Sequence, residues 1–383
     1  MSKVLIVDDS ALMRQLLREL LSSDPQLEVV GAAPDPVRAW ELIQRLSPDV
    51  ITLDVEMPRM DGLTFLERLM RARPMPVVMV SSLTTRGCDM TLRALELGAI
   101  DFVSKPKLDI ERGIAELAAE LVRKVKTAAS ARPRVRRLPA AAPCSERGAP
   151  AAAEAVTRPS RGPAVVAPGP RLATLRTTEV VFAIGASTGG TEALSEVLSA
   201  MPADAPGIVI VQHMPEAFTR AFAKRLDGGC KIRVREAADG DRILPGLALL
   251  APGGRSHMEV VRSGAVFSVR LRDAPPVNHH RPSVDTLFHS CAHALGANAM
   301  GAILTGMGAD GASGLLAMRR AGARTVAQDE ATSIVFGMPK EAIAAGAAEV
   351  VSPLDHVAAV LLRFARERAE GPRAARAGAT RRG

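Results

Sequence analysis

The chain has 383 residues, 47% of them hydrophobic and 23% charged, which at about 100 to 200 residues per domain predicts two domains, or at a stretch three, with substantial cores. Aromatics make up 3%, with no tyrosine and Trp40 as the single tryptophan, so stacking platforms for single-stranded nucleic acid are disfavoured. Cys88, Cys144, Cys230 and Cys291 lie far apart with no C-x-x-C pair, which argues against a disulfide framework or a structural zinc and fits a reduced, cytoplasmic protein. The opening MSKVLIVDDS meets two aspartates too soon for a signal peptide. No apolar stretch reaches the ~18 residues of a membrane span, so the protein is expected not to be membrane-embedded.

The formal charge of +8 is unevenly placed. Residues 127–178 hold nine Arg against Glu146 and Glu154, and residues 371–383 hold four Arg and no acid. These two segments carry more positive charge than the whole chain, so the remainder is slightly acidic and a sequence-specific nucleic-acid face is not expected. Both segments lack sustained periodicity, and the first is dominated by 14 Ala, 8 Pro and 9 Arg. They read as a flexible linker, 127–178, and a disordered basic tail, 371–383.

In chain order, residues 1–126 alternate short apolar strands with helices. KVLIVDD, LEVVGAA, PDVITLDV, PVVMVSS and DFVSKP suit burial on both faces. ALMRQLLRELLSS, DPVRAWELIQRLS, DGLTFLERLMRAR, CDMTLRALELGA and ERGIAELAAELVRKVK carry apolar residues at helical spacing. Five such units predict a doubly wound parallel sheet, with ligands at the carboxyl ends of its strands. Asp8 and Asp9 end the first strand, Asp54 the third, Ser81 follows the fourth and Lys105 ends the fifth. Strand-end aspartates also serve as caps and turn formers. Three gathered carboxylates, however, call for a hard divalent cation, most readily Mg²⁺, and a cation beside Asp54 with Lys105 and a hydroxyl nearby suits a phosphoryl group.

Through VDDS, LDVEMPRMDG, VSS and DFVSKP, residues 1–126 resemble a response-regulator receiver domain, a flavodoxin-like fold. The resemblance implies phosphorylation of Asp54 by a chemotaxis histidine kinase, Mg²⁺ held by Asp8, Asp9 and Asp54, contacts from Ser81 and Lys105 to the phosphoryl group, and Phe102 as the aromatic that reorients. The Lys105–Pro106 bond is the expected cis peptide, since cis bonds are largely confined to X-Pro.

From residue 179 to 370 the alternation resumes. EVVFAIG, GIVIVQH, LALLAPG, AVFSVRL, NAMGAILTG and ARTVAQD read as strands of a second α/β sheet. TEALSEVLSAM, EAFTRAFAKRLD, SVDTLFHSCAHALG, GASGLLAMRRAG and HVAAVLLRFARER read as its helices. Gly185, Ser187 and Gly189 in GASTGG fit the G-x-S-x-G nucleophile elbow, a pattern shared with phosphate-binding turns. Among seven histidines, His213 ends a strand at the same edge. His289 and His293 sit at i, i+4 without the Glu or third ligand of a zinc motif and read as helix surface or satisfied core, while His257, His279 and His280 fall in loops. Asp310 follows NAMGAILTG and either orients the imidazole or caps the next helix.

Residues 179 to about 365 are similar to the catalytic domain of the chemotaxis protein-glutamate methylesterases, through IGASTGG, VQHMP, LAPGGRSHMEV, HHRPSVDTLF, LTGMGADG and AQDEATSIVFGMP. The resemblance implies a parallel-sheet esterase in which Ser187 is the nucleophile, His213 the general base and Asp310 the orienting acid. It further implies the Met307 amide as an oxyanion donor, Thr188 in support, no cofactor in the esterase site, and methyl-accepting chemoreceptors as the protein substrate. The implied activity is phosphorylation-activated hydrolysis of glutamate γ-methyl esters with deamidation of specific glutamines, the unphosphorylated receiver packing near Ser187. The readings set against it are a receiver-controlled binding module with an inactive second domain and a DNA-binding response regulator.

Overall fold

The computed structural model describes residues 1–58, 60–82, 84–105, 111–131 and 180–370. Most of the expected linker and the whole of the expected tail therefore lie outside the described residues, as does Pro106 and with it the bond expected to be cis. The cis peptide that is described joins Arg281 to Pro282.

The first ten elements run β1 Ser2–Val7, α1 Ala11–Ser22, β2 Leu27–Ala33, α2 Pro36–Leu46, β3 Val50–Asp54, α3 Gly62–Ala72, β4 Val77–Ser81, α4 Thr85–Glu96, β5 Asp101–Ser104 and α5 Glu111–Ser130. Helix starts follow local chemistry. Ser10, Asp35, Asp61 and Thr84 each accept a hydrogen bond from the amide three residues on, satisfying donors that have no intrahelical partner. The sheet order is β2-β1-β3-β4-β5, all parallel, the doubly wound order of flavodoxin-like folds. Helix α5 continues to Ser130, past the boundary read at residue 126, because Thr127–Ser130 contains nothing that stops a helix.

The later elements are β6 Val181–Ala186, α6 Gly190–Ser199, β7 Gly207–Gln212, α7 Glu216–Gly229, β8 Arg233–Glu236, β9 Leu247–Leu250, β10 Ser256–Ser263, β11 Val266–Asp273, α8 Val284–Leu295, β12 Ala299–Ile303, α9 Ala312–Arg320, β13 Arg324–Gln328, α10 Met338–Ala344, β14 Val350–Ser352 and α11 Leu354–Glu370. Seven strands form a parallel sheet ordered β14-β13-β12-β6-β7-β9-β8. AVFSVRL does not join it. That segment is β11, paired antiparallel with β10 in a separate hairpin closed by Gly264 at positive φ. Its inside–outside alternation is that of a hairpin with one wet face, whereas the central parallel strands β6 and β7 are buried throughout.

Side chains of the central strands divide between the two faces. Phe182, Ile184, Ile208 and Ile210 pack with Leu194, Phe218, Val357 and Phe364 on one side. Val181, Ala183, Val209 and Val211 pack with Leu287, Phe288, Leu315 and Met338 on the other. Because β6 sits between β12 and β7, the carboxyl ends of these three strands converge at the point where the chain's winding reverses, the usual ligand position in such sheets. No helix among the described residues is long and apolar enough to cross a membrane.

The close approach of α8 to this edge depends on Gly185, where an added Cβ would come within 2.2 Å of Val284 Cγ1. Gly185→Ala is expected to destabilise the protein by about 1–3 kcal/mol through overpacking. Thermal denaturation should show a fall of several degrees in Tm.

Candidate active site

At the carboxyl edge of the first sheet, one carboxylate oxygen from each of Asp8, Asp9 and Asp54 lies within 4.8 Å of the others. Asp8 and Asp54 are buried. Their Oδ2 atoms accept no well-aligned hydrogen bond, and Lys105 Nζ stands 3.2 Å from the first and 2.7 Å from the second. Burial pushes the Asp54 carboxyl up to about 6 despite Lys105, and raises Asp8 for the same reason. One ammonium group, with the Ser10 amide on Asp8 Oδ1 and the Glu56 amide on Asp54 Oδ1, thus undercompensates the cluster, and an all-oxygen donor set of buried carboxylates fits a hard divalent cation. The Ser81 hydroxyl accepts from Thr91 Oγ1, on α4, at 2.7 Å. Phe102 is buried and packs outward from its sheet against Phe218 of the second domain, ring centroids 4.3 Å apart.

Ser187 leaves the end of β6 in a turn tied down on both sides. Its N–H donates to Thr305 O at 3.0 Å, and its carbonyl accepts from Gly190 N at 2.7 Å and from Gln212 Nε2 at 2.8 Å. Gly189 takes φ +76°, a region costly for other residues, as the turn enters α6. Thr305 also donates its hydroxyl to Thr188 O at 3.0 Å, and its own N–H goes to Gln328 Oε1 at 2.7 Å, so the LTGMGADG and AQDEATS segments brace this turn.

His213 follows β7, with Nε2 2.8 Å from Asp310 Oδ2. Asp310 does not act as a helix cap for α9, where Gly311 holds the N-cap position without a side-chain bond. Instead it meets the start of α8, accepting from Val284 N at 2.7 Å, Ser283 Oγ at 2.8 Å and Asn278 Nδ2 at 2.8 Å. Burial works against its charge, but His213, Asn278 and the Val284 amide outweigh that cost and hold the carboxyl well below its usual range. An ionised Asp310 fixes the proton on Nε2, leaving Nδ1 as the basic nitrogen; that atom is buried with no hydrogen-bond partner. The structure therefore joins His213 to Asp310 and leaves Ser187 Oγ without a hydrogen bond to the imidazole, a contact that in many enzymes tightens only with substrate bound.

Sequence reasoning passed over several residues of this site. His280, read as a loop histidine, stacks on His213 with ring centroids 3.7 Å apart and planes 8° from parallel. Burial, then the neighbouring His213, push its pKa down, which favours the neutral ring. Asp285 is buried, accepts from Gly314 N at 2.6 Å and shares the Asn278 amide with Asp310. His257 lies in β10 rather than a loop, buried, with Nε2 bonded to Pro275 O and Nδ1 accepting from Ser283 N. His289 and His293 are exposed on α8. The available signal was the cluster N-H-H-R-P-S-V-D itself, whose polar residues are too dense for an ordinary turn.

The receiver covers this edge. Asp101 Oδ2 accepts from the Thr188 hydroxyl, Glu96 pairs with Arg225, and the Thr127 hydroxyl donates to Met307 Sδ. Lys124, 3.1 Å from Asp101 and 3.0 Å from Glu120, also donates to Phe102 O at 2.7 Å. Ser187 is left 8% exposed. Thr188 thus spends its hydroxyl on the receiver, while the Met307 N–H takes no backbone acceptor among the described residues.

Comparison with known proteins adds to this geometry. A family profile for the CheB methylesterase matches residues 182–361, and one for the response regulator receiver domain matches residues 4–117. A protein-glutamate methylesterase/protein-glutamine glutaminase of Bordetella parapertussis is 58% identical over 360 residues, 94% of this chain and 96% of the relative. A Pseudomonas aeruginosa protein of the same name, numbered 2, is 55% identical over 370 residues, 97% of this chain and 99% of the relative. The crystal structure of the Thermotoga maritima CheB methylesterase catalytic domain is 35% identical, covers 48% of this chain and 98% of its own, and superposes with a TM-score of 0.47.

The raised Asp54 pKa has a signed consequence. A carboxyl that ionises near 6 when folded and near 3.8 when unfolded favours the fold at low pH, and that contribution is lost as pH rises through about 6. Without divalent cations, Asp54→Asn should be more stable than the parent by up to about 3 kcal/mol at pH 8. Denaturant titrations should show this gap closing as pH falls towards 4.

Proposed function

The chain belongs to the protein-glutamate methylesterase/protein-glutamine glutaminase family, a hydrolase domain joined to a response-regulator receiver, and from that premise we propose that Ser187, His213 and Asp310 carry its ester hydrolysis. The observation that supports this assignment most strongly is the 2.8 Å contact of His213 with an ionised, amide-held Asp310 beside the braced Ser187 turn. Ser187 Oγ attacks the side-chain carbonyl of a methylated glutamate as His213 accepts the hydroxyl proton. His213 then gives that proton to the departing methanol, and water hydrolyses the acyl-serine to glutamate. With glutamine as substrate the leaving group is ammonia. The unengaged Met307 N–H serves the oxyanion, and Thr188 supports the turn once its hydroxyl is free of Asp101.

The division into a receiver over 1–126, a linker over 127–178 and a catalytic domain over 179–370 belongs to this reading. The protein substrates are methylated cytoplasmic segments of chemoreceptors, and a chemotaxis histidine kinase supplies the phosphoryl group to Asp54 in the cytoplasm. Asp8, Asp9 and Asp54 would hold Mg²⁺, which when bound neutralises charge at the phosphorylated carboxylate. Lys105, already between the two buried carboxylates, holds a phosphoryl oxygen, and Ser81 turns from Thr91 to a second one. Phosphorylation shifts the receiver towards an arrangement that uncovers Ser187. The contacts of Asp101, Phe102 and Glu96 with the catalytic domain support a low-activity state when Asp54 is unmodified.

Ser187→Ala should abolish methanol release from methylated receptor membranes while phosphorylation of Asp54 by a small-molecule phosphodonor persists; undiminished release removes this serine from the mechanism. Arg225→Glu places like charges at the Glu96 contact. It should raise methanol release by the unphosphorylated enzyme severalfold, with little change in the phosphorylated rate.

A further inference from the structure

A single hydrogen bond from Nε2 to Asp310 fixes one point of the His213 imidazole but leaves the ring free to rock about that contact. Its Nδ1 atom makes no bond that would stop the motion. The face of the ring is covered by another imidazole, that of His280, 3.7 Å away and nearly parallel. We propose that His280 is a positioning residue of the reaction, holding the plane of the His213 ring by face-to-face stacking. The proposal rests on the assignment of His213 as general base.

The backbone around His280 is built to deliver that ring. Val277 and His280 exchange backbone hydrogen bonds at 3.0 and 2.9 Å, closing a two-residue turn in which Asn278 and His279 take φ +52° and +65°. Two consecutive non-glycine residues in the left-handed region persist only where surrounding contacts over-determine them. Those contacts are present. The Asn278 amide bridges the Asp285 and Asp310 carboxylates at 2.8 Å each. Arg281 donates to Gly254 O at 2.7 Å and to Ala274 O at 3.0 Å, and buried His257 holds Pro275 O and Ser283 N at 2.9 and 3.1 Å. One turn therefore clamps the acid of the pair through Asn278 and the base through His280.

Charge supports the division of roles. Burial lowers the pKa of His280, a proton on His213 would lower it further, and Arg123 and Lys124 act in the same direction, so it is poorly suited to take a second proton while His213 holds one. A neutral aromatic face is a favourable neighbour for the imidazolium that His213 becomes in mid-reaction. Stacking needs only a flat ring, whereas a proton-carrying role needs ring nitrogens.

The test compares His280→Phe, His280→Leu and His280→Ala in the full chain, activated with a small-molecule phosphodonor and assayed for methanol release on methylated receptor membranes. Melting curves run alongside. The Leu and Ala variants are expected to lose about tenfold or more in kcat with KM within about twofold, as expected when a base is misplaced by a fraction of an ångström. The Phe variant should return to within about threefold of the parent. Parental kcat in the Leu variant overturns the proposal, as does a Phe variant as slow as Leu with an unchanged melting temperature. Ser187→Ala in the same assay separates the two ideas: its activity bears on the triad, and the ordering of the His280 variants bears on the stack alone.

Discussion

A carboxylate buried at the edge of the second sheet governs much of what surrounds it. Asp310 is 2% exposed, and an unpaired charge there would be prohibitively costly. The solution is the amino terminus of α8, whose Val284 amide and Ser283 hydroxyl point at it, together with Asn278 and the imidazole of His213. That requirement explains why Gly185 must lack a side chain, why Gly314 lets α9 lie close to Asp285, and why the loop before α8 adopts a strained turn. The geometry of the site and its packing are here the same set of contacts.

The receiver carries the opposite arrangement. Asp54 is as deeply buried, yet it is answered by Lys105 and one backbone amide, that of Glu56 at 3.2 Å, and its pKa rises where that of Asp310 falls. An oversatisfied carboxylate makes a fixed orienting group. An undersatisfied one makes a site that gains from cation binding and covalent modification. A short run of contacts lies between the two sites: Ser81 rests on Thr91 of α4, the same helix whose Glu96 meets Arg225, and β5 sends Asp101 to Thr188 and Phe102 to Phe218.

Much of this was legible in the sequence. Uninterrupted apolar runs pointed to the parallel strands, and Asp8, Asp54, Ser187, His213 and Asp310 lie at or just after strand ends, where ligands of such sheets sit. Other features were hidden for physical reasons. AVFSVRL has the composition of a sheet strand, and only its pairing with β10 separates it from the parallel set. RVRE and VVS are short edge strands with little apolar signal. His280 and Asn278 act through ring stacking and a shared amide, contacts that depend on two left-handed residues no periodicity announces. The Ser81 hydroxyl and the Phe102 ring fall on their expected strand, but their partners are set by tertiary packing, which placed one on α4 and the other on the second domain.

The central claim is that Asp310, through His213, makes Ser187 nucleophilic. It is tested most directly by the rate at which a fluorophosphonate modifies Ser187, read by mass spectrometry of the phosphodonor-treated full chain, in the parent and in Asp310→Ala. The account predicts an adduct on Ser187 that forms at least about a hundredfold more slowly in the variant. Equal rates, or an adduct on another serine, would contradict it.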